Sequence, residues 1–259
     1  MSTDHHWESW GAQDPYYGVL THARFRSAVI DDAARAEFFE SGRVHAEQVL
    51  NTCRQRVDPG FAPQRVFDFG CGVGRVLIPF AGLVSEAVGM DVSPSMLAEA
   101  RRNCDAQGIT NVQLLPSDDT LSSLSGDFDL VHSCIVLQHI EVDRGKALFR
   151  ELVKRIRPGG LGALQVTFAW DHFDANFGQP LPPPPPPSGL RSRLASALRS
   201  LSGTPPPPPP PSPDPEMQMN FYNLSELLYV VQRAGVERLH AEFTDHGGAV
   251  GAFLFFRRA

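Results

Sequence analysis

The sequence predicts an α/β protein with a mostly parallel sheet and helices on both faces. Two observations support this fold class. Short apolar runs alternate with segments of helical periodicity, which is typical of βαβ units and therefore of parallel strands. The first run ends in a glycine-rich turn, and the last two runs surround a turn of their own. With 259 residues, 42% of them hydrophobic, the chain can bury a full core.

Seven apolar runs are predicted as strands. The first five are expected to be parallel, and they lie at 65–69, 87–91, 111–116, 128–133 and 162–169. The last two, at 236–243 and 249–256, surround Asp245-His-Gly-Gly248. Because a connection this short joins neighbouring strands as a hairpin, we expect an antiparallel end to the sheet.

Stripes of apolar residues at helical spacing lie between and before these runs. The stripes are Ala46, Val49, Leu50, Cys53 and Val57; Met96, Leu97, Ala100 and Cys104; and Leu148, Leu152 and Ile156. Pro158-Gly159-Gly160 is expected to end the third of these helices after Ile156. Another helix is expected from Asn223 to near Gly235. Residues 1–60 are predicted to form a mostly helical cap.

Prolines are concentrated in one part of the chain. Of 23 prolines, 16 lie between Pro180 and Pro215, and they include two unbroken tracts, 182–187 and 205–211. Such tracts form stiff polyproline II segments. A leucine- and arginine-containing segment between them, 189–203, is predicted to be helical.

We therefore predict a proline-rich insertion at 172–216 within a core made of 61–171 and 217–259. The insertion is either a docking arm for a partner or a segment without an essential role.

Charge and composition argue against several classes of protein. The formal net charge is −6, from 23 basic and 29 acidic side chains, which disfavours a protein built to bind nucleic acid or an anionic membrane. No run of about 18 apolar residues is present, so no membrane span is expected. The first ten residues lack the order of a secretory signal, and the four cysteines form no C-x-x-C pair. We expect a cytoplasmic protein with free thiols.

The most informative segment is the turn after the first strand, Asp68-Phe-Gly-Cys-Gly-Val-Gly-Arg75. Glycines permit positive φ and let a ligand approach the backbone without meeting a Cβ atom. The dinucleotide fingerprint G-x-G-x-x-G/A needs glycine or alanine at position 75, where this chain has arginine. Arg75 therefore disfavours a nicotinamide-dependent oxidoreductase, which is kept as an alternative.

This acidic residue followed by three alternate glycines resembles the glycine motif of the class I S-adenosylmethionine (SAM)-dependent methyltransferases. The resemblance covers about 61–170 and, more loosely, 217–259. Other segments that look like the family are 128–133, 137–140 and 157–160. The resemblance implies a Rossmann-like sheet of seven strands, SAM as the cofactor and methyl transfer as the activity.

The resemblance also implies which residues hold the cofactor. Asp68 is expected to hold the ammonium group of the methionine end, and Asp91 to accept hydrogen bonds from both ribose hydroxyls. A third acid near the adenine is expected at Asp118 or its neighbour Asp119. The other expected cofactor-binding residues are Gly70, Gly72, Gly74, Val92, Met96 and Ser133.

Methyl transfer to a hydroxyl needs a base, because the acceptor must lose a proton. In related methyltransferases a histidine just after the fourth strand lies near the methyl donor, and His139 has this place. A histidine that only packs beside the cofactor is the alternative. Asp171, His172 and Asp174 could suggest a metal, but hard divalent ions want several carboxylates together, so we expect none.

Aromatic residues outside the central strands are expected to select the substrate. In the family the N-terminal segment and the stretch after the fifth strand commonly cover the acceptor. The candidates in this chain are Tyr16, Tyr17, Phe39, Trp170, Phe221 and Tyr222. We expect a core or edge position for His132 and a solvated or local role for His246.

The predicted function is methyl transfer from SAM to a small molecule. A hydroxyl oxygen is the expected acceptor atom, because that is the commonest acceptor in the group that the chain resembles. Transfer to nitrogen or carbon and a non-catalytic SAM-binding scaffold are the alternatives. No (Asn/Asp/Ser)-Pro-Pro-(Tyr/Phe) segment follows the fourth strand. This departs from methyltransferases that act on amino groups of nucleic acids and proteins, so no nucleic-acid partner is expected.

Overall fold

The computed structural model describes residues 3–170 and 214–259. Apart from Asp214, these residues belong to one compact unit, Met1–Asp171 with Pro215–Ala259. Almost all of the predicted insertion, including its predicted helix, lies outside the described residues. The predicted domain boundaries therefore stay predictions.

One sheet of seven strands forms the centre of this unit. The strands are β1 Arg65–Phe69, β2 Glu86–Asp91, β3 Val112–Pro116, β4 Phe128–Ser133, β5 Ile156–Trp170, β6 Leu239–His246 and β7 Ala249–Arg257. Their order is β3-β2-β1-β4-β5-β7-β6. Strands β1 to β5 pair in parallel, and β7 runs antiparallel to both β5 and β6. The predicted mostly parallel sheet with a C-terminal antiparallel hairpin is confirmed.

Helices surround the sheet and precede it. In the described ranges they are α1 Asp4–Gln13, α2 Pro15–Val19, α3 Asp32–Thr52, α4 Leu77–Ala81, α5 Pro94–Ala106, α6 Val142–Lys154 and α7 Leu224–Arg233. A π-helical turn, Cys53–Val57, continues α3. The Asn223 side chain caps α7 by accepting from the N–H of Ser225, as its position predicts. No helix of the described ranges is long and apolar enough to cross a bilayer.

The two faces of the sheet pack against different helices. On one face Phe67 and Phe69 of β1 pack with α6 and α7, and on the other Val66 packs with α3 and α4. Because side chains alternate along a strand, Asp68 shares the face of Val66. Its carboxylate therefore lies on the α3 side of the sheet, next to the end of β1.

The structure corrects one predicted helix end. Ile156 does not continue α6, which ends at Lys154, but begins β5 and pairs with Phe128 of β4. The register between β4 and β5 then shifts, and the Pro158-Gly159-Gly160 segment takes up the extra length as a bulge. The helical spacing of Ile156 misled because a buried strand start also needs an apolar side chain.

The C-terminal hairpin has the turn that its glycines predict. Gly247 and Gly248 have φ of +67° and +93°, so both central residues of the two-residue loop lie in the left-handed region. Two-residue hairpins favour such turns because their twist matches that of the strands. This turn brings His246 to the end of the sheet where β5 also ends.

Candidate functional site

A cavity of about 540 Å³ lies at the carboxyl ends of β1, β2 and β4. Open α/β sheets bind their ligands at this edge, where the strand order reverses between β1 and β4. Six residues of the predicted cofactor site line the cavity: Asp68, Gly70, Gly72, Asp91, Val92 and Met96. The structure thus brings these six together.

The turn after β1 depends on its glycines. Gly70 and Gly72 have φ of +73° and +52°, which residues with a Cβ atom rarely adopt. A Cβ on Gly72 would also lie 2.7 Å from Cγ2 of Val19. The N–H groups of Gly70 and Cys71 donate to the carbonyl of Met90, which fixes the turn to β2. Bare backbone therefore faces the cavity, as a closely approaching ligand requires.

Asp91 ends β2 and is held from two sides. Its Oδ2 accepts from the N–H of Gly72 and its Oδ1 from the N–H of Ser93, both at 2.9 Å. Each oxygen keeps a second lone pair for a ligand. Burial raises the pKa of Asp91 to about 6, although the two backbone hydrogen bonds favour the ionised form. At neutral pH the carboxylate is therefore mostly ionised and can accept from two neighbouring hydroxyls.

The predicted adenine-side acid does not reach the cavity. The Asp118 carboxylate accepts hydrogen bonds from the hydroxyls and backbone N–H groups of Ser122 and Thr120. These bonds lower the pKa of Asp118 and turn its side chain into its own loop. Asp119 pairs instead with Arg144, Oδ1 to Nε at 2.5 Å. Ser117, one residue earlier, lines the cavity at this point.

Two further predicted cofactor residues also lie outside the cavity lining. Gly74 has a φ of +87° and packs against Ile78, so it serves the turn rather than the cavity. Ser133 is fully buried, and its hydroxyl has no hydrogen-bond partner among the residues that the structure describes.

Asp68 is part of a buried chain of three side chains. Its Oδ1 lies 2.7 Å from Nδ1 of His132, whose Nε2 lies 3.0 Å from Nε2 of His45. With the Asp68 carboxylate as acceptor, His132 carries its proton on Nδ1 and accepts from His45. Burial, with smaller effects of His132, Arg75 and His246, lowers the pKa of His45 to about 2, so His45 is neutral.

These hydrogen bonds give His132 a role that the sequence did not predict. The residue is buried, as expected, but it also lines the cavity and holds the Asp68 carboxylate. The sequence contained a signal, because β1 and β4 are neighbours and pair Asp68 with His132 in register. His45 could not be found in this way, because it lies on a helix and has no strand register with Asp68 or His132.

His139 lies in the 3-10 turn after β4 and lines the cavity. Its Nδ1 is 2.8 Å from the carbonyl of Gln218, so Nδ1 donates and Nε2 keeps a lone pair. The side-chain nitrogen of Gln138 lies 3.4 Å from this Nε2. Burial lowers the pKa of His139, so its ring is neutral at pH 7. The geometry is that of a potential proton acceptor.

Of the predicted substrate residues, only Trp170 lines the cavity. The Tyr222 hydroxyl donates to the carbonyls of Leu137 and Ile140 and fixes the turn that carries His139. Phe221 packs edge-on to Trp170, with ring centroids 5.7 Å apart.

Three predicted substrate residues of the N-terminal part pack elsewhere. Tyr16 is buried, and its hydroxyl is 2.6 Å from Glu99 on α5. Tyr17 stacks under Arg26, and Phe39 packs edge-on to Tyr16. Aromatic residues in the cap thus anchor it to the core, which sequence alone could not distinguish from a substrate contact.

The N-terminal part reaches the cavity through α1 instead. Thr3, Asp4 and Trp7 line it, and the Trp7 and His139 rings are 4.8 Å apart. The Thr3 hydroxyl donates to the carbonyl of His139 at 3.1 Å, and Asp4 pairs with Arg144 at 2.6 Å.

Further along α1, the Glu8 carboxylate accepts from the hydroxyls of Ser93 and Ser95 at 2.7 and 2.6 Å. These two contacts join α1 to the start of α5. Because the Thr3 and Asp4 contacts join its other end to the far side of the cavity, α1 covers the site.

Other residues of the lining were not predicted from the sequence. They include Arg75, Cys134, Gln138, Met217, Met219 and His246. His246 corrects the expectation of a solvated or local role, because the β6–β7 turn places it at the cavity. Among the described residues, no group of three metal-binding side chains is arranged to hold an ion. The sequence candidates Asp171, His172 and Asp174 lie outside the described residues.

Comparisons with known proteins show which proteins the strands and turns around the cavity are similar to. A family model described as a methyltransferase domain matches residues 66–160. A trans-aconitate 2-methyltransferase of Deinococcus radiodurans is 37% identical over 110 residues, which are 42% of this chain and 40% of that protein. An uncharacterized RNA methyltransferase of Thermosynechococcus vestitus is 33% identical over 82 residues, 32% of this chain and 18% of that protein. The chain thus spans less than half the length of these two relatives.

A solved structure has the same fold over nearly the whole chain. It is the magnesium protoporphyrin IX methyltransferase of Synechocystis PCC 6803 with bound SAM, with a TM-score of 0.60. The likeness covers 100% of this chain and 98% of that one at 14% identity.

The sheet order and the cavity at its carboxyl edge define a Rossmann-like α/β protein. Within that class, residues 66–160 match the methyltransferase domain family, and the unit around them has the fold of the magnesium protoporphyrin IX methyltransferase. The resemblance drawn from the glycine turn is confirmed.

Proposed function

We propose that this chain is a SAM-dependent methyltransferase that acts on a small molecule, at a hydroxyl oxygen. The observation that carries this proposal is the position of Asp91, whose carboxylate lies beside the bare backbone of Gly70 and Gly72 in one cavity. That combination suits a nucleoside with free ribose hydroxyls. SAM is such a nucleoside, and a structure of the same fold contains it.

The residues at the cavity fit the parts of SAM. Asp91 would accept from the two ribose hydroxyls, since one carboxylate matches two neighbouring donors. Val92 and Met96 offer apolar surface for the adenine ring. Asp68 would hold the ammonium group of the amino-acid end, directly or through a water, while His132 keeps its carboxylate in place. When bound, SAM supplies an electrophilic methyl group.

His139 would take the proton from the acceptor. His139 lines the cavity, its Nδ1 donates to the carbonyl of Gln218, and its Nε2 keeps the lone pair that would accept the proton. Burial lowers the pKa of His139, so the ring is neutral at pH 7 and needs no second base to remove its proton. Tyr222 would act through the backbone of the His139 turn and is thus a positioning residue.

A small acceptor is supported by the size of the cavity and by its cover. The volume of about 540 Å³, which the cofactor and the acceptor would share, is typical of small-molecule pockets, and α1 covers it. The net charge of −6 gives no attraction for phosphate backbones. The trans-aconitate methyltransferase is a relative with a small-molecule substrate. The RNA methyltransferase match is shorter, but it makes RNA an acceptor that the test must include.

Partner binding through 172–216 and a cytoplasmic location stay predictions.

A labelled-methyl assay tests the proposal. The purified chain is incubated with SAM carrying a tritiated methyl group and separate pools of phenols, aliphatic hydroxy acids, carboxylic acids, amines and total RNA. We expect the label to appear in a hydroxyl-containing pool. The demethylated product S-adenosylhomocysteine (SAH) should form at the same time, without label. Label in RNA would contradict a small-molecule acceptor, and label in the amine pool alone would contradict transfer to oxygen. Binding of SAM without any transfer would favour the scaffold alternative.

A further inference from the structure

Arg75 is a buried cation without a matching anion. Arg75 directly follows the last glycine of the turn after β1, and only 9% of the residue is exposed. Within the described part of the chain the Nε atom has no hydrogen-bond partner, and Nη1 lies 3.4 Å from the hydroxyl of Ser41. Among the described residues no carboxylate forms an ion pair with it.

The guanidinium lies at the cavity. Arg75 lines it, and so do the three side chains Asp68, Cys134 and His246 that interact electrostatically with Arg75. The backbone of Arg75 is held against α3, because a Cβ on Gly42 would collide with the Arg75 carbonyl and lie 3.0 Å from its Cγ. Arg75 is therefore fixed in place beside the cavity.

The groups around Arg75 do not balance its charge. Burial raises the pKa of the Cys134 thiol to about 12, and burial keeps His45 and His246 neutral by lowering their pKa values. The Asp68 carboxylate interacts electrostatically with Arg75, but its hydrogen bond is to His132 and it forms no ion pair with the guanidinium. Burying a guanidinium without an anion is costly, and a bound anion would recover that cost. The planar guanidinium can form two parallel hydrogen bonds with a carboxylate.

We infer that Arg75 binds a carboxylate of a ligand in this cavity. The inference rests on the proposed function for what that ligand is. One source is the amino-acid end of the cofactor, whose ammonium Asp68 would hold, so that Asp68 and Arg75 together match a zwitterion. The other source is an acceptor that carries a carboxylate.

Calorimetric titrations with defined probes test the inference. They compare wild type, Arg75→Gln, Arg75→Lys and, as a matched control, Arg56→Gln, which replaces an exposed arginine on the turn after α3. The probes are SAH, which has the carboxylate, and 5′-methylthioadenosine, which lacks the whole amino-acid end. Benzoate, succinate and citrate are then titrated into the SAH-saturated protein and into the free protein.

If the carboxylate is that of the cofactor, Arg75→Gln should lower the affinity for SAH by about tenfold to a hundredfold, since charge-assisted hydrogen bonds contribute on this scale. The affinity for 5′-methylthioadenosine should then be unchanged. An acceptor source predicts unchanged affinity for both nucleosides and loss of carboxylate binding. In either case Arg75→Lys retains part of the affinity, and Arg56→Gln behaves as wild type.

The inference is overturned if Arg75→Gln, folded by circular dichroism, changes neither the preference for SAH over 5′-methylthioadenosine nor the binding of any carboxylate. Failure of the proposed function is a separate result, because wild type itself would then not bind SAH. In that case the carboxylate titrations of the free protein still show whether Arg75 binds a carboxylate.

Discussion

The ring of His132 holds the carboxylate of Asp68 from the neighbouring strand, Nδ1 to Oδ1 at 2.7 Å, with both residues buried. Parallel pairing puts the two residues side by side on one face of the sheet. The hydrogen bond fixes one oxygen of the carboxylate and leaves the other for a ligand. On the proposed function, His132 would position the Asp68 carboxylate for the amino-acid end of the cofactor.

Replacing His132 should weaken that end of the site. In His132→Gln the Asp68 carboxylate loses a well-placed donor, and a buried polar group left without its partner costs about 1–3 kcal/mol. We expect lower affinity for SAH and unchanged affinity for 5′-methylthioadenosine, measured by calorimetry. His240→Gln, on β6 and outside the cavity lining, is the matched control. Equal losses for both nucleosides would show a general structural defect instead.

Cofactor affinity should depend on pH through Asp91. The pKa of this carboxyl is about 6 in the free protein, and hydrogen bonds from ribose hydroxyls would favour its ionised form. Binding must then lower the pKa and release protons near pH 6. Affinity for SAH is expected to be full above pH 6 and to fall as the pH decreases through 6.

Calorimetry in two buffers of different ionisation heat measures this proton release. Asp91→Asn cannot titrate, so its weaker affinity should be flat over the same pH range. An equally steep pH dependence in Asp91→Asn would assign the effect to another group.

His139 should control turnover rather than binding. His139→Gln removes the proton acceptor, and loss of a general base typically lowers the rate by about 10²–10⁴-fold. We expect kcat to fall while affinity for SAH is retained. Because burial lowers the pKa of His139, the acid limb of the wild-type pH profile should lie below the ordinary histidine pKa and disappear in the variant. Unchanged turnover in His139→Gln would leave His139 a packing residue.

The cover formed by α1 should open more readily without Glu8. Its carboxylate joins α1 to the hydroxyls of Ser93 and Ser95 at the start of α5. Although burial opposes it, these hydrogen bonds lower the pKa of Glu8, so the anion is the bound form. Hydrogen bonds to a charged group typically contribute about 1.5–3 kcal/mol.

Glu8→Ala should therefore speed hydrogen exchange in α1 and shorten the residence time of SAH. Glu237→Ala, an exposed glutamate outside the cavity lining, is the control. Unchanged exchange in Glu8→Ala would mean that other contacts hold α1.

The fold could be predicted because its signals are local. Strand and helix periods alternate along the chain, and the glycines at 247 and 248 set the final hairpin. The part of the site at the ends of β1 and β2 was predicted from the resemblance that the glycine turn carries, with Gly70, Gly72 and Asp91 all at the cavity.

Contacts between distant segments could not be predicted in the same way. Asp118 has the right place in the sequence, but Ser122 and Thr120 hold its side chain in the loop. Trp7 reaches the cavity only because α1 packs on α5, and Arg75 became informative only once its lack of an anion was visible. Such properties depend on which surfaces meet in three dimensions.

The most direct test of the account is a calorimetric titration of the wild-type chain and Asp91→Asn with SAH, with NAD as the competing nucleotide. Asp105→Asn, an exposed carboxylate on α5, serves as the matched control. We predict one SAH site per chain, no response to NAD, a clear loss of affinity in Asp91→Asn and none in Asp105→Asn. Absence of SAH binding to the folded wild-type protein, or equal binding by wild type and Asp91→Asn, would contradict the account.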